Sequence, residues 1–235
     1  MAFAFETRER TDHLCGNRRD DINKLVSLRS LPHQPSAFRP GPWPVLSEEQ
    51  EITEDSRVEI VDVPAAVGLY YRDLFAHRLG TTKADAYCVA LLDDHVFAAF
   101  GLGFFKFKGV GATSRGWVHT LFTVALTSRR YRLARLQIAM ALSSTMRDRL
   151  IARGGLFALS PPKGMRTAVL SYFRESKPYR GLMRRVDRRE HPDAPGLNMI
   201  TYEAEWTDGD LQEVFRRWLE AERQRQPKRR SGPKS

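Results

Sequence analysis

Between Asp85 and Leu126 three apolar segments follow one another almost without interruption: DAYCVALLD, HVFAAFGLGFFKF and WVHTLFTVAL. They are rich in β-branched and aromatic side chains, which suit a pleated, buried surface. Each is too short to cross a bilayer, which needs ~20 apolar residues in a helix. Asp93-Asp94 offers a tight turn between the first two. Three consecutive strands in the middle of a sheet are therefore expected, and the rest of the chain must cover them.

The flanking patterns supply candidates for that cover. RVEIVDV, from Arg57, alternates in the manner of a half-buried strand. Pro64 opens a helix that carries Val67, Tyr70, Tyr71, Leu74, Phe75 and Leu79 on one stripe and ends at Gly80. Tyr131 to Arg153 repeats apolar residues at helical spacing and reads as one long central helix closed by Gly154-Gly155. LFALS, residues 156–160, reads as a short strand, and MRTAVLSYFRES, residues 165–176, as a second helix. A loop then leads to one strand, LNMITYEAEW forms the last strand, and DLQEVFRRWLEAERQ is a terminal amphipathic helix with Leu211, Val214, Phe215, Trp218 and Leu219 inward. Upstream, Ile22 to Leu31 has short-helix spacing, Pro32 to Pro44 contains five prolines and is an arm, and Ser47 to Gln50 has the form of a capping box. Three parts follow: an arm over 1–56, a mixed α/β (α+β) domain over 57–222, and a tail over 223–235 with no apolar anchor, expected to be disordered.

The charge is as uneven as the hydropathy. The chain has 235 residues and a net charge of +10. Residues 129–190 carry 16 basic and 4 acidic groups, and the tail carries 6 basic and none acidic. Such an excess suits a polyanion, because each Lys or Arg that neutralises a phosphate releases counterions; a solvated basic face is the plainer alternative. The N-terminus has no signal-like hydrophobic region, so a cytosolic, non-membrane protein is expected. Cys15 and Cys88 lack metal-ligand spacing, which leaves no expected metal site and makes Cys88 a small core residue.

Taken over 57–206, the order of strand, helix, antiparallel strands, long helix, strand, helix, strand and strand resembles the GNAT acyltransferase fold. In that family the fourth strand feeds a turn whose amides and helix N-terminus receive a pyrophosphate. Here the corresponding stretch is VALTSRRYRLARLQIAMAL, from Val124 to Leu142, which lacks the family's glycine loop. The resemblance implies a mixed central sheet flanked by helices, and an acyl-CoA-type donor held near Arg129, Arg130, Arg132 and Arg135. A narrower resemblance is to the phage Mom group of DNA-modifying proteins, carried by DAYCVALLDDHVFAAFGL, RRYRLARL, LFALS and VLSYF followed by YRG. It implies transfer of a group to an exocyclic nucleobase amine, adenine in particular, as protection from restriction. An acyl-CoA-dependent N-acyltransferase acting on a small amine or protein, and a non-catalytic nucleic-acid-binding protein, remain alternatives.

Candidate site residues follow from these patterns. Ser160 ends a strand, and Tyr172 and Tyr179 could protonate a leaving group or orient an amine. Arg115, Lys163, Arg166, Arg174 and Arg180 are candidate DNA contacts from the basic region and the loop before it. Tyr131, Tyr172 and Tyr179 could also stack on bases. His119 alternates with strand neighbours, where a lone histidine is more often a satisfied structural group than a base.

Overall fold

The computed structural model describes residues 39–75, 84–104, 116–153, 161–171, 173, 176, 178–191 and 194–230. The apolar middle of the chain forms the first half of a seven-stranded sheet. β1 (Val58–Val63), β2 (Ala86–Leu92), β3 (His95–Gly103) and β4 (Trp117–Ala125) pair antiparallel in that order. Every residue of β2 is buried, as expected of a strand with cover on both faces. Asp93 and Asp94 make the β2–β3 turn at φ of 47° and 61°, a conformation the short Asp side chain tolerates.

Pro64 precedes α1 (Ala65–Phe75), which packs on β2, β3 and β4. The expected long helix is instead two: α2 (Leu133–Ala141) and α3 (Ser144–Ala152). Ser143 breaks it, because its hydroxyl donates to the Met140 carbonyl at 2.7 Å and accepts from the Met146 N–H at 3.2 Å. A serine that can satisfy backbone groups itself competes with the helix ladder. The apolar rhythm passes through the break because both helices bury the same side, through Leu136, Met140, Met146 and Leu150.

The second half of the sheet corrects another expectation. Residues 165–176 were expected to be helical, yet Gly164–Ser171 is a strand, β5. It pairs parallel with β4 over four residues and antiparallel with β7 (Ala194–Glu205) over eight, and β6 (Arg184–His191) lies outside β7. MRTAVLS fits either period, and ladders on both sides decide for the strand. Gly164 is needed at the junction, since a Cβ there would lie 2.0 Å from the Ala204 carbonyl oxygen. The final order is β1-β2-β3-β4-β5-β7-β6.

α4 (Leu211–Arg230) packs on α2 and β1 with Val214, Phe215, Trp218 and Leu219 buried. It runs past residue 222, so residues 223–230 are helical and the expectation of a disordered tail from 223 is corrected over that stretch. Arg223 pairs with Glu54, and Arg225 donates to the Arg130 carbonyl at 3.0 Å, which ties the helix to the body. The later part of the arm is also ordered. Leu46 and Ile52 are buried, and Val96 exchanges backbone hydrogen bonds with Pro44 and Leu46 at 2.8 and 3.0 Å. Ser47 caps a turn there and not a helix. The expected helix over 22–31 and the LFALS strand lie outside the described residues.

Candidate active site

β4 and β5 are in register only from Trp117–Gly164 to Thr120–Thr167, and beyond that point they separate. Tyr179 fills the resulting wedge. It is buried, its hydroxyl shares a hydrogen bond with the Thr123 hydroxyl, and its ring stacks on Tyr202 at 5.0 Å. Burial raises its phenol above the ordinary value, against the lowering effect of its bonds to Thr123 and Thr167. The phenol therefore stays protonated and partnered. A void of about 10 Å³ among Thr120, Thr123, Ile138, Met165, Tyr179 and Met183 leaves room for about one water. Of the other candidate catalytic residues, Ser160 and Tyr172 lie outside the described residues, and so do Arg115 and Arg174.

At the start of α2 the four arginines go separate ways. Arg132 donates from its guanidinium to the Glu222 carboxylate, and its backbone N–H reaches the other oxygen of that group at 3.3 Å. Glu222 is fully buried and also accepts from Arg225. Arg135 turns to the carbonyls of Pro178 and Arg180, at 3.4 and 2.6 Å. Burial lowers the Arg135 pKa, and the neighbouring Arg132 charge adds to that. Arg130 lies over the ring of Tyr131 at 5.0 Å and near Glu51 at 3.8 Å, while the backbone N–H of the exposed Arg129 donates to the Glu48 carboxylate at 3.3 Å. Tyr131 is buried against Trp218, which removes it as a stacking surface.

A second group forms on the other side of the sheet, one row across four strands. Side chains directly opposite on neighbouring strands share a face, and the register aligns His119 of β4, Arg166 of β5, Glu203 of β7 and Arg184 of β6. Arg166 donates to Glu203 at 2.7 Å, with side chains 11% and 8% exposed. Arg184 donates to the other oxygen of Glu203 but is 76% exposed. The Arg166 guanidinium also lies 5.7 Å from the Trp117 ring, and its Nε is buried with no acceptor among the described residues. His119 is 8% exposed. Desolvation lowers its pKa, and the Arg166 charge lowers it further, so at neutral pH the imidazole is uncharged. A neutral imidazole can accept a proton, and the same burial and cation that keep it neutral make it a weaker base.

Arg166, expected to contact DNA, is thus committed to Glu203. Lys163 stays exposed at the start of β5, where its backbone N–H bonds Gly116 at 2.7 Å, and Arg180 stays exposed in the turn after Tyr179. Reasoning from sequence set His119 aside and overlooked Glu203. The available signal was weak: one histidine in a strand of apolar residues and threonines, and two acids, Glu203 and Glu205, in the last strand after a very basic stretch.

A mixed sheet with one parallel junction, opened by a wedge and backed by helices, defines an acyltransferase-type architecture. The chain matches the phage GNAT-like domain over residues 55–223, from just before β1 into α4, and it belongs to that family. Membership points to an acetyltransferase-type function. No curated protein sequence matches the chain.

The GNAT fold generally uses acyl-CoA donors, and the start of α2 tests whether these residues fit one. They do not fit a pyrophosphate as arranged. The Glu222 carboxylate already engages the Arg132 N–H and guanidinium, and a second anion there would face a buried negative charge. Among the described residues no group of three or more His, Cys, Asp or Glu side chains could hold a metal, and no helix is long and apolar enough to cross a membrane.

Proposed function

We propose that this chain is an acyl-type group transferase whose acceptor is an exocyclic amine of a nucleobase in DNA, adenine in particular, and that the product protects DNA from restriction. The observation that carries the reading is the row His119–Arg166–Glu203, which sets a neutral imidazole on the sheet face whose far edge, β6, is rich in arginine. As the amine nitrogen bonds the acyl carbon, the bond from that carbon to the donor's leaving group breaks; the amine must lose a proton, a histidine kept neutral at pH 7 accepts it, and the departing group takes it up. Arg166, fixed by Glu203, places a positive charge on the same face as the imidazole, which favours the negative charge that develops on the acyl oxygen. Because a base inside a duplex is out of reach, the target must leave the stack. The experiment is mass spectrometry of nucleosides from DNA of cells that express the chain. A mass-shifted nucleoside in the wild type, absent with His119→Ala, is expected, and that DNA should resist restriction cleavage. Unmodified nucleosides with the wild type would overturn the reading. Acylated small amines or proteins in those cells would instead indicate the small-amine or protein acceptor.

One observation favours a second reading. The Glu222 carboxylate of α4 occupies the anion position at the start of α2, as suits a chain that binds nucleic acid without an acyl donor or catalysis. That reading expects DNA binding and no modified product of any kind.

A further inference from the structure

We infer that the outer face of the β5–β7–β6 ribbon is a platform for a single strand of DNA, which it leads toward His119. The inference rests on the function proposed above and identifies the surface that takes the acceptor. Cross-strand register places three rows on this face. Arg166, Glu203 and Arg184 form the row that continues to His119, Ala168, Thr201 and Asp187 form the next, and Leu170, Met199 and Arg189 the third. The helices pack on β1 to β4, and here Ala168 and Met199 are exposed, Met199 at 41%. An exposed methionine in the middle of a sheet face is a surface left open for contact. Phe173, just past the end of β5, is 58% exposed and extends the same end of the ribbon.

The rim determines the partner. β6 is the edge strand, and Arg184, Arg185, Arg188 and Arg189 on it are all exposed. On the open face three arginines, Arg166, Arg184 and Arg189, meet two acids: Glu203 is shared by the first two and Asp187 pairs with Arg189 at 2.7 Å. Positive charge is in excess. Arg184 and Arg189 are five residues apart, roughly 16 Å along an extended strand, so they can follow a backbone over several phosphates. A duplex would present only phosphates to a flat surface and leave Ala168, Leu170 and Met199 without apolar partners. A single strand lays its bases on the apolar centre while the rim holds its phosphates. A base that leaves the stack beside the first row comes next to His119.

The test is fluorescence anisotropy of a labelled deoxyoligonucleotide of about 15 nucleotides, within the span one such site covers, at several salt concentrations. Arg184→Ala/Arg189→Ala should weaken binding at least tenfold and make the slope of log affinity against log salt shallower by about 1.4, ~0.7 per lost phosphate contact on a single strand. Met199→Asp should weaken binding several-fold, and Arg217→Ala, on the far side on α4, should leave it within twofold. Thermal melts confirm that each variant is folded. An unchanged slope in the double variant, an equal loss from Arg217→Ala, a duplex bound as tightly as the single strand, or displacement by polyglutamate of equal charge would each overturn the platform. Binding is read without turnover, so a chain that binds as expected but leaves nucleosides unmodified would sink the proposed reaction and keep the platform.

Discussion

The two halves of the sheet are built on different physics. In β1 to β4 the packing is apolar, on both faces of β2 and β3: Val89, Ala90, Phe97 and Phe100 are fully buried, and α1, α2 and α4 pack against these strands. In β5, β7 and β6 the organising contact is ionic, one buried carboxylate on Glu203 shared by Arg166 and Arg184, and the outer face stays open. Apolar burial is non-directional and nearly indifferent to pH and salt, whereas a buried charge depends on its partner. One half therefore holds the molecule together while the other is free to carry chemistry. The junction is the short β4–β5 ladder, and both His119 and Tyr179 lie at it.

This contrast can be broken by substitution. Phe100→Ala, in the apolar half, should cost about 4 kcal/mol through lost transfer energy and a cavity, measured by urea denaturation. Glu203→Leu should cost about 3 kcal/mol, because it leaves the Arg166 guanidinium buried without its anion. Most of that loss should return in Arg166→Met/Glu203→Leu, where both charges are gone, and a double variant as unstable as the single would refute the ionic account. The Arg184 bond adds little, since that guanidinium is largely in water.

Acid sharpens the comparison further. The folded His119 pKa lies below the ordinary 6.5, so on acidification the unfolded chain takes up the proton first. Stability from this residue is complete above about 6.5 and is lost as pH falls from there through the folded value. His119→Gln should flatten stability against pH in that window, and an identical slope in the variant would show that another group titrates. The smallest effect belongs to the open face. Met199→Ala should change stability by less than about 0.5 kcal/mol, although it lies mid-strand, because its side chain is 41% exposed. A loss near that of Phe100→Ala would mean the face is covered.

The residues that revealed the fold from sequence alone were those whose local pattern and tertiary role agree. The three apolar segments became β2 to β4, Asp93-Asp94 made its turn, Pro64 introduced α1, and the α4 stripe went inward. Disagreement arose where local signals were balanced. MRTAVLS carries both periods, and it became a strand because two neighbours offered ladders. Ser143 looked like a polar position on a helix and is the cap between two. The arginines at 129–135 were legible as a cluster, but not as residues with separate partners, one of them the Glu222 carboxylate 90 residues away.

The sequence by itself determined the apolar core, the antiparallel half of the sheet and the location of the basic charge, because hydrophobic periodicity and composition are local properties written residue by residue. Only the tertiary structure decided which charges lie on an open face. Arg132, Arg135 and Arg166 are spent on internal partners, while Arg184 and Arg189 line an open face, and His119 becomes neutral beside Arg166. The reason is physical: an ionisable side chain takes its role from burial and from the charge opposite it. Here the opposite residue stands on another strand, 47 positions along the chain from His119 to Arg166 and 37 from Arg166 to Glu203.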